Sequence, residues 1–287
     1  MWLQRNQAPG PGAMNGHNRQ WRLNRHNFEG RWCGSSHWYL RGAGPHPPLD
    51  LQHPSRTIEA TTYAISFSDA DTGLWDGSGL LFAPEGQRQL PLSREGYNRG
   101  GQCWQFAGAG GQSSLRVDPA QPRFGHEINL FHGRSRSMLV LLWGRSAGAT
   151  AAWRLDAVGA VPFRCSLSPN PEPPRPKPSA AALLEQARGW PGQLESLEPG
   201  AWPEHDPTPV PCGRFDPKAF ACHPLTAAFA DGLVCSVPEQ LSTGAFALQV
   251  GCLLSPQHFT QVSLLFDAQQ QLCRWELRRF QRGDEPR

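Results

Sequence analysis

Short runs in which apolar and polar residues alternate recur along the chain, each closed by a turn rich in glycine, proline or aspartate. Thr57 to Phe67 and Leu74 to Phe82 flank the turn Ser68-Asp69-Ala70-Asp71-Thr72-Gly73. Further turns are marked by Pro84-Glu85-Gly86, Gly100-Gly101, Gly108 to Gly111 and His132-Gly133. Val161, Phe163, Cys165 and Leu167 alternate with Pro162, Arg164 and Ser166, which predicts a strand with one buried face. The closing hairpin is the best formed. Thr260 to Phe266 puts Val262, Leu264 and Phe266 on one face. Leu272 to Phe280 returns with Cys273, Trp275 and Leu277 facing the core and Arg274, Glu276 and Arg278 facing water. Many short strands at this spacing predict an antiparallel barrel or sandwich.

Helices are few. Ser179 is placed to cap a short helix, Ala180 to Arg188, that Gly189 ends. Between Ser168 and Pro178 six of eleven residues are proline, a stretch that cannot enter a sheet interior and is expected to be a stiff, extended linker. The halves on either side echo each other. Phe28-Glu29-Gly30-Arg31-Trp32-Cys33-Gly34 and Ala187-Arg188-Gly189-Trp190-Pro191-Gly192 each put Trp-x-Gly after a short helix and before a strand-rich region. Gly30, Trp32 and Gly34, with Gly189, Trp190 and Gly192, are therefore expected at the mouths of two barrels, each tryptophan a plug and each glycine a bend. The predicted organisation is a disordered segment over 1–18, an N-terminal β-barrel over 19–167, a linker over 168–178 and a C-terminal β-barrel over 179–287.

Composition narrows the function classes. Glycine and proline make up about a fifth of 287 residues, yet aromatic residues are 10%, including eleven Trp, so the chain has the material for a folded core. The net charge of +3 does not call for a nucleic-acid partner. The longest apolar run, Met138 to Trp143, is far shorter than a membrane span. Only Lys177 and Lys218 are lysines; the arginine bias, with the abundance of Trp, Gly, Ala and Pro, fits a GC-rich genome better than an interface of hot spots. Met1 to Gln20 is polar with no apolar stretch of a signal peptide, and Met14 is a second candidate start. The eight cysteines are accordingly expected as reduced thiols in a cytoplasm.

Candidate chemistry is sparse. A two-residue loop at His132-Gly133 would pair Phe131 with Arg134, Asn129 with Arg136 and Glu127 with Met138, putting Glu127, Asn129, Arg134 and Arg136 on one face. Two readings stand. Facing into a barrel, the arginines would anchor a ligand carboxylate. Facing water, the set is a solvated strand face with a cross-strand ion pair, as expected if the more apolar opposite face claims the core. Asp69, Asp71, Gly73 and Asp76 resemble a calcium loop but lack its third ligand before the glycine and its distal Glu. Cys212, Cys222, His223 and Cys235 lack a Cys-x-x-Cys knuckle, so no metal site is expected. The glycines of 108–111 carry no phosphate-loop spacing, Gly-x-Ser-x-Gly is absent, and no catalytic residues stand out.

Gln20-Trp21-Arg22-Leu23-Asn24 through Gly34 resembles the opening of a two-barrel lipocalin-like (calycin) family of cyanobacteria and plastids, long a domain of unknown function. The resemblance continues through Cys103 to Gly108, Gly125 to Leu130, Gly189 to Gly192, Asp231 to Pro238 and the closing hairpin, roughly residues 20 to 281. It implies an all-β fold of two antiparallel calycin barrels joined by the linker, with short helices at the barrel mouths. The family includes the chloroplast ATP synthase biogenesis factor. The resemblance therefore implies a non-enzymatic assembly factor, chaperone-like, that contacts the F1 β and γ subunits and uses no cofactor. The alternative it implies is a binder or carrier of a small hydrophobic ligand such as a bilin, another pigment or a fatty acid. Arg134-Ser135-Arg136 departs from the adjacent arginines of that family, and the loops over 199–217 look longer.

Overall fold

The computed structural model describes residues 14–42, 47–80, 88–145, 152–169, 171–175 and 177–283. The first half runs α1 (Met14–Phe28), β1 (Gly30–Leu40), β2 (Arg56–Phe67), β3 (Thr72–Asp76), β4 (Gln89–Ser93), β5 (Cys103–Phe106), β6 (Ala109–Ser113), β7 (Arg123–His132), β8 (Ser135–Arg145) and β9 (Trp153–Cys165). The second runs α2 (Ala180–Gln186), β10 (Pro191–Leu197), β11 (Val210–Arg214), α3 (Pro217–Phe220), β12 (Leu225–Ala228), β13 (Leu233–Val237), β14 (Phe246–Ser255), β15 (His258–Phe266) and β16 (Leu272–Gln281). The fold is nearly all β, with two antiparallel sheets, one a half-barrel, and a few short helices. Strands leave and return through tight turns, so neighbours in sequence are neighbours in space.

The sheet orders are β4-β3-β2-β1-β9-β8-β7-β6-β5 and β11-β10-β16-β15-β14-β13-β12. In each, the first strand pairs with both the second and the last. That is the closure of an up-and-down barrel, opened at one seam: between β4 and β5 in the first sheet, and between β11 and β12 in the second. In the nine-stranded sheet the curl brings β2 and β8 together across β1 and β9, since Arg136 on β8 lies over the ring of Tyr63 on β2.

Each sheet has two faces, and neither is simply wet. One face of each packs on the other in a shared core: Phe124, Ile128, Leu139, Leu141, Trp143 and Leu155 from the first, and Leu248, Val250, Val262, Leu264, Trp275 and Leu277 from the second. Phe124 meets Phe266 edge-on with centroids 5.4 Å apart. Trp104 and Trp275 stack at 6.2 Å, and both indoles donate to Ser113 Oγ. Backbone bonds suture the sheets as well: Leu272 N–H donates to Leu115 O (2.7 Å) and Leu155 N–H to Glu239 O (2.8 Å). The other face of the first sheet wraps Phe28, Trp32, Tyr63, Ile65, Trp75, Phe131 and Phe163. That of the second wraps Trp190, Phe215, Phe220, Phe259 and Phe280 with Leu183 and Leu184 of α2.

Several expectations are corrected. Residues 14–18, expected in a disordered segment, belong to α1; residues 1–13 lie outside the described residues, as do Leu81, Phe82 and the Pro84-Glu85-Gly86 turn. The β7–β8 loop is Gly133-Arg134, with His132 opposite Ser135, Phe131 opposite Arg136 and Asn129 opposite Met138. Its glycine occupies the first central position with φ +55°, as such loops require. A slip of two residues leaves the face assignment intact. Leu167 is 75% exposed rather than buried, because β9 ends at Cys165 and the chain turns, Ser168 N–H donating to Cys165 O. Cys273 is exposed because the β15–β16 register slips between Leu265 and Phe266, breaking the alternation there. On the face expected to be wet, Glu276 is buried.

The helix α1 docks through amides as well as through the buried Trp21, Leu23 and Phe28. Gln20 behaves as a short extra strand on the β5 edge: its Nε2 donates to Gln105 O (3.0 Å) and its Oε1 accepts from Gln105 N–H (2.7 Å). Asn27 Nδ2 donates to Gln105 Oε1 (3.0 Å) and Phe106 O (2.9 Å), and its Oδ1 accepts from Gly108 N–H (3.2 Å). Gln105 and Phe106 are buried and Gly108 is half-buried, so Asn27→Ala strands several polar groups at once. We expect a loss of about 1–3 kcal/mol in urea unfolding, with faster hydrogen exchange at the Gly108 amide. The long loop after β10 straps the same helix from outside, Arg19 Nε bonding Asp206 (2.8 Å) and Trp202 stacking on Trp275 at 5.7 Å.

Candidate functional site

Arg136 is the centre of the half-barrel. It is 1% exposed, on the inward face of β8. Alternation puts Glu127, Asn129 and Phe131 of β7 on the same face. Arg136 Nε donates to Asn129 Oδ1 at 2.7 Å, and its Nη2 lies 3.4 Å from Glu127 Oε1. Asn129 Nδ2 in turn donates to Glu127 Oε1 (3.0 Å) and Gly110 O (3.2 Å). The guanidinium carbon lies over Tyr63 (4.8 Å), Phe28 (4.9 Å), Phe163 (5.1 Å), Trp32 (5.8 Å) and Phe131 (5.9 Å). Burial lowers the arginine's pKa from its usual value. The carboxylate and the electron-rich ring faces are what hold a cation in so dry a place. One donor, Nη1, has no hydrogen-bond partner.

The structure thus brings Glu127, Asn129 and Arg136 together on an inward face, with Asn129 and Arg136 buried and Glu127 half-buried. Arg134 is set apart in the turn. Its Nη2 donates to Glu29 O (2.6 Å) and lies 2.8 Å from Cys165 Sγ, with the guanidinium over Trp32 at 5.1 Å. Glu29 O belongs to the bend between α1 and β1, where Gly30 takes φ +140°; a Cβ there would fall 2.8 Å from Cys165 Sγ. Trp32 is fully buried in the half-barrel, its indole donating to Phe28 O (2.8 Å), and Gly34 sits at a β1–β2 register shift. Trp190 is buried in the second sheet's own core, between Gly189, which follows α2, and Gly192 of β10.

The remaining candidates have local duties. Asp69 accepts from the amides of Asp71 and Thr72, which holds its carboxyl below the usual value; Asp71 pairs with Arg94, and Asp76 accepts from Ser78 N–H. His223 Nε2 lies on Ala247 O, Cys235 is buried in the shared core, and Cys222 is exposed. All eight cysteines are free thiols.

Sequence reasoning missed two polar sets. One mirrors Arg136 in the second sheet: Gln249 Oε1 accepts from Gln261 Nε2 (2.9 Å) and Ser263 Oγ (2.6 Å), Arg278 donates to Ser263 Oγ (3.0 Å), and Arg278 pairs with Glu276 (2.5 Å). Gln249 and Gln261, on matching faces of apolar strands, were the signal for it. The other joins the halves. Asp231, fully buried and held at φ +67°, takes both arms of Arg164 (2.6 and 3.0 Å) and Ser137 Oγ (2.6 Å), with Arg175 of the linker at 3.4 Å.

No family model and no curated protein matches the sequence. Among solved structures, the chain is similar to a protein of unknown function from the DUF3598 family of Nostoc punctiforme, a cyanobacterium: 14% identity over 92% of this chain and 99% of that one, with a TM-score of 0.64. That likeness shows a shared fold. The H959F variant of the PpsC dehydratase domain from Mycobacterium tuberculosis is 12% identical over 56% of this chain and 69% of that one, but its TM-score of 0.14 carries no argument. No helix among the described residues is long and apolar enough to cross a membrane.

Proposed function

We propose that this chain is a non-enzymatic binding factor of the cyanobacterial cytoplasm that acts through its outer surface, as an assembly factor holding a protein partner. The observation that carries this reading is the filled interior of the half-barrel, where Arg136 is enclosed by Phe28, Trp32, Tyr63, Phe131 and Phe163. A barrel that carries a ligand keeps that volume open. What such a protein has to offer a partner is surface and strand edge. Gln20 covers β5, and Pro91 and Pro211 interrupt β4 and β11, of which β11 is largely exposed, with Val210 at 53%. The resemblance to the biogenesis-factor family names the F1 β and γ subunits of the ATP synthase as the partners to try.

A second reading, a carrier of a small hydrophobic ligand with an acidic end, draws support from the unpartnered Nη1 of Arg136. One experiment separates the two. The tagged protein is expressed in a cyanobacterium, captured, and analysed by mass spectrometry and absorbance together, and recombinant β and γ are then added to the purified protein in sedimentation velocity. Co-capture of β or γ with a colourless bait, and a faster-sedimenting complex, is the expected result. A coloured or lipid-loaded bait that sediments alone would sink the assembly reading.

A further inference from the structure

A cleft of about 370 Å³ lies on the outside of the half-barrel, between α1 and the β2–β3 turn, with Arg94 closing one end. Its walls are fixed by backbone carbonyls. Ala70 O accepts from Trp21 Nε1 (2.8 Å) and Arg25 Nη1 (3.0 Å), and His17 Nε2 lies 2.7 Å from Arg94 O. Arg94 N–H donates to Asp71 O (2.7 Å), and its guanidinium pairs with the Asp71 carboxylate (3.1 Å). A site tied this way does not have to order itself on binding.

The charges that line it do not cancel. Arg22, Arg25 and Arg94 face Asp71 and Glu29, which leaves one positive charge in excess. Arg94 is already matched by Asp71. Arg25 lies over Phe67 at 4.9 Å, and its Nε has no partner. Arg22 is exposed and has no partner among the described residues. Two guanidinium groups three residues apart on α1 thus share one side of the cleft, with Trp21 buried beneath them.

We infer that this cleft is a binding site for a small carboxylate, the acid seated on Arg22 and Arg25. A planar carboxylate matches the guanidinium fork, and its single charge matches the single excess charge, whereas a phosphate dianion would overshoot it and meet Glu29. The volume holds a small organic acid or the side chain of an acidic peptide. The site stands on its own residues and is independent of the partner reading above.

The test uses the full chain alone, with 15N-labelled arginine and the Nε–Hε signals observed at constant ionic strength. Benzoate and an end-blocked peptide carrying a single glutamate are titrated separately. Saturable shifts of the Arg22 and Arg25 signals are expected, and whichever probe binds more tightly identifies the source of the carboxylate. Arg22→Gln, at an exposed position that leaves the fold intact, should weaken binding about tenfold. Glu29→Gln, which removes the opposing acid, should tighten it. Shifts that do not saturate, Arg22→Gln and Glu29→Gln variants that bind as the parent does, or displacement of benzoate by inorganic phosphate at equal concentration would each overturn the assignment.

Discussion

Replacement of Asp231 by alanine is expected to remove about 3–5 kcal/mol of unfolding free energy, measured by urea denaturation at neutral pH. The carboxylate sits with no exposure at the junction of β8, β9, the linker and the turn before β13. It neutralises Arg164, takes Ser137 Oγ and accepts from the backbone of Arg175. Without it the nearly buried Arg164 guanidinium loses its counter-charge and faces the half-buried Arg175. Asp231→Asn is the informative companion, since asparagine also tolerates the positive φ and keeps the shape while losing the charge. A loss in Asn close to that in Ala assigns the effect to charge; a loss confined to Ala assigns it to packing. The linkage has a definite sign. Burial pushes the Asp231 pKa up, but the bonds from Arg164 and Ser137 and the two cationic charges outweigh it, and the folded value lies below the ordinary one. Its stabilisation is therefore complete above the unfolded value, near pH ~4, and disappears as the pH falls through the lower folded value. Wild-type and Asp231→Asn curves should converge only in that acid range. If they run parallel down to the most acid point, the ion pair is not what stabilises the junction.

The strands were legible because period-two alternation is a local property, and the closing hairpin and the Ser179 cap needed nothing from elsewhere in the chain. Ser179 Oγ indeed accepts from Ala182 N–H. Alternation tells which residues share a face but not what lies beyond that face. Glu127, Asn129 and Arg136 were placed on one face despite the slipped register, yet whether it met water depended on the β1–β9 pairing that curls the sheet, a closure across more than a hundred residues. Glu276 read as wet for the same reason. Asp231 was part of a recognisable run, Asp231 to Pro238, but nothing nearby marks it as the partner of Arg164 and Arg175. The arginine cleft was hidden for a similar reason. Arg22 and Arg25 look like the solvated side of a polar helix until the β2–β3 turn and Arg94 are brought against it. In this chain the apolar pattern specifies the strands, and the long-range polar pairs specify how the curled sheets close and join.

A second large effect is expected from His126, which should make the chain lose stability steadily on mild acidification. The ring is 2% exposed, on the shared-core face of β7, against Phe124 (4.6 Å), Phe266 (5.8 Å) and Trp143 (6.0 Å), and neither ring nitrogen has a partner. Burial pushes its pKa down to about 3, so the folded protein keeps it neutral. The unfolded chain takes up that proton near pH ~6.5. Between those values the unfolded state binds one more proton than the folded one, so stability falls as pH falls, by about 1.4 kcal/mol per unit where the slope is full, and levels off below the folded value. This window lies mostly above that of Asp231, which keeps the two effects separable. His126→Leu removes both the titration and the unpaired nitrogens while keeping an apolar side chain of similar size, so its stability at neutral pH should match or exceed the parent's. Urea midpoints taken from pH 7.5 to 4.5 should then diverge, the variant gaining about 2–3 kcal/mol on the wild type across the range. Parallel lines would mean that the interface opens to let water reach His126. The sutures between the two sheets, Leu272 to Leu115 and Leu155 to Glu239, would then have to loosen well before the global transition, and faster exchange of those amides at pH 5 would show it.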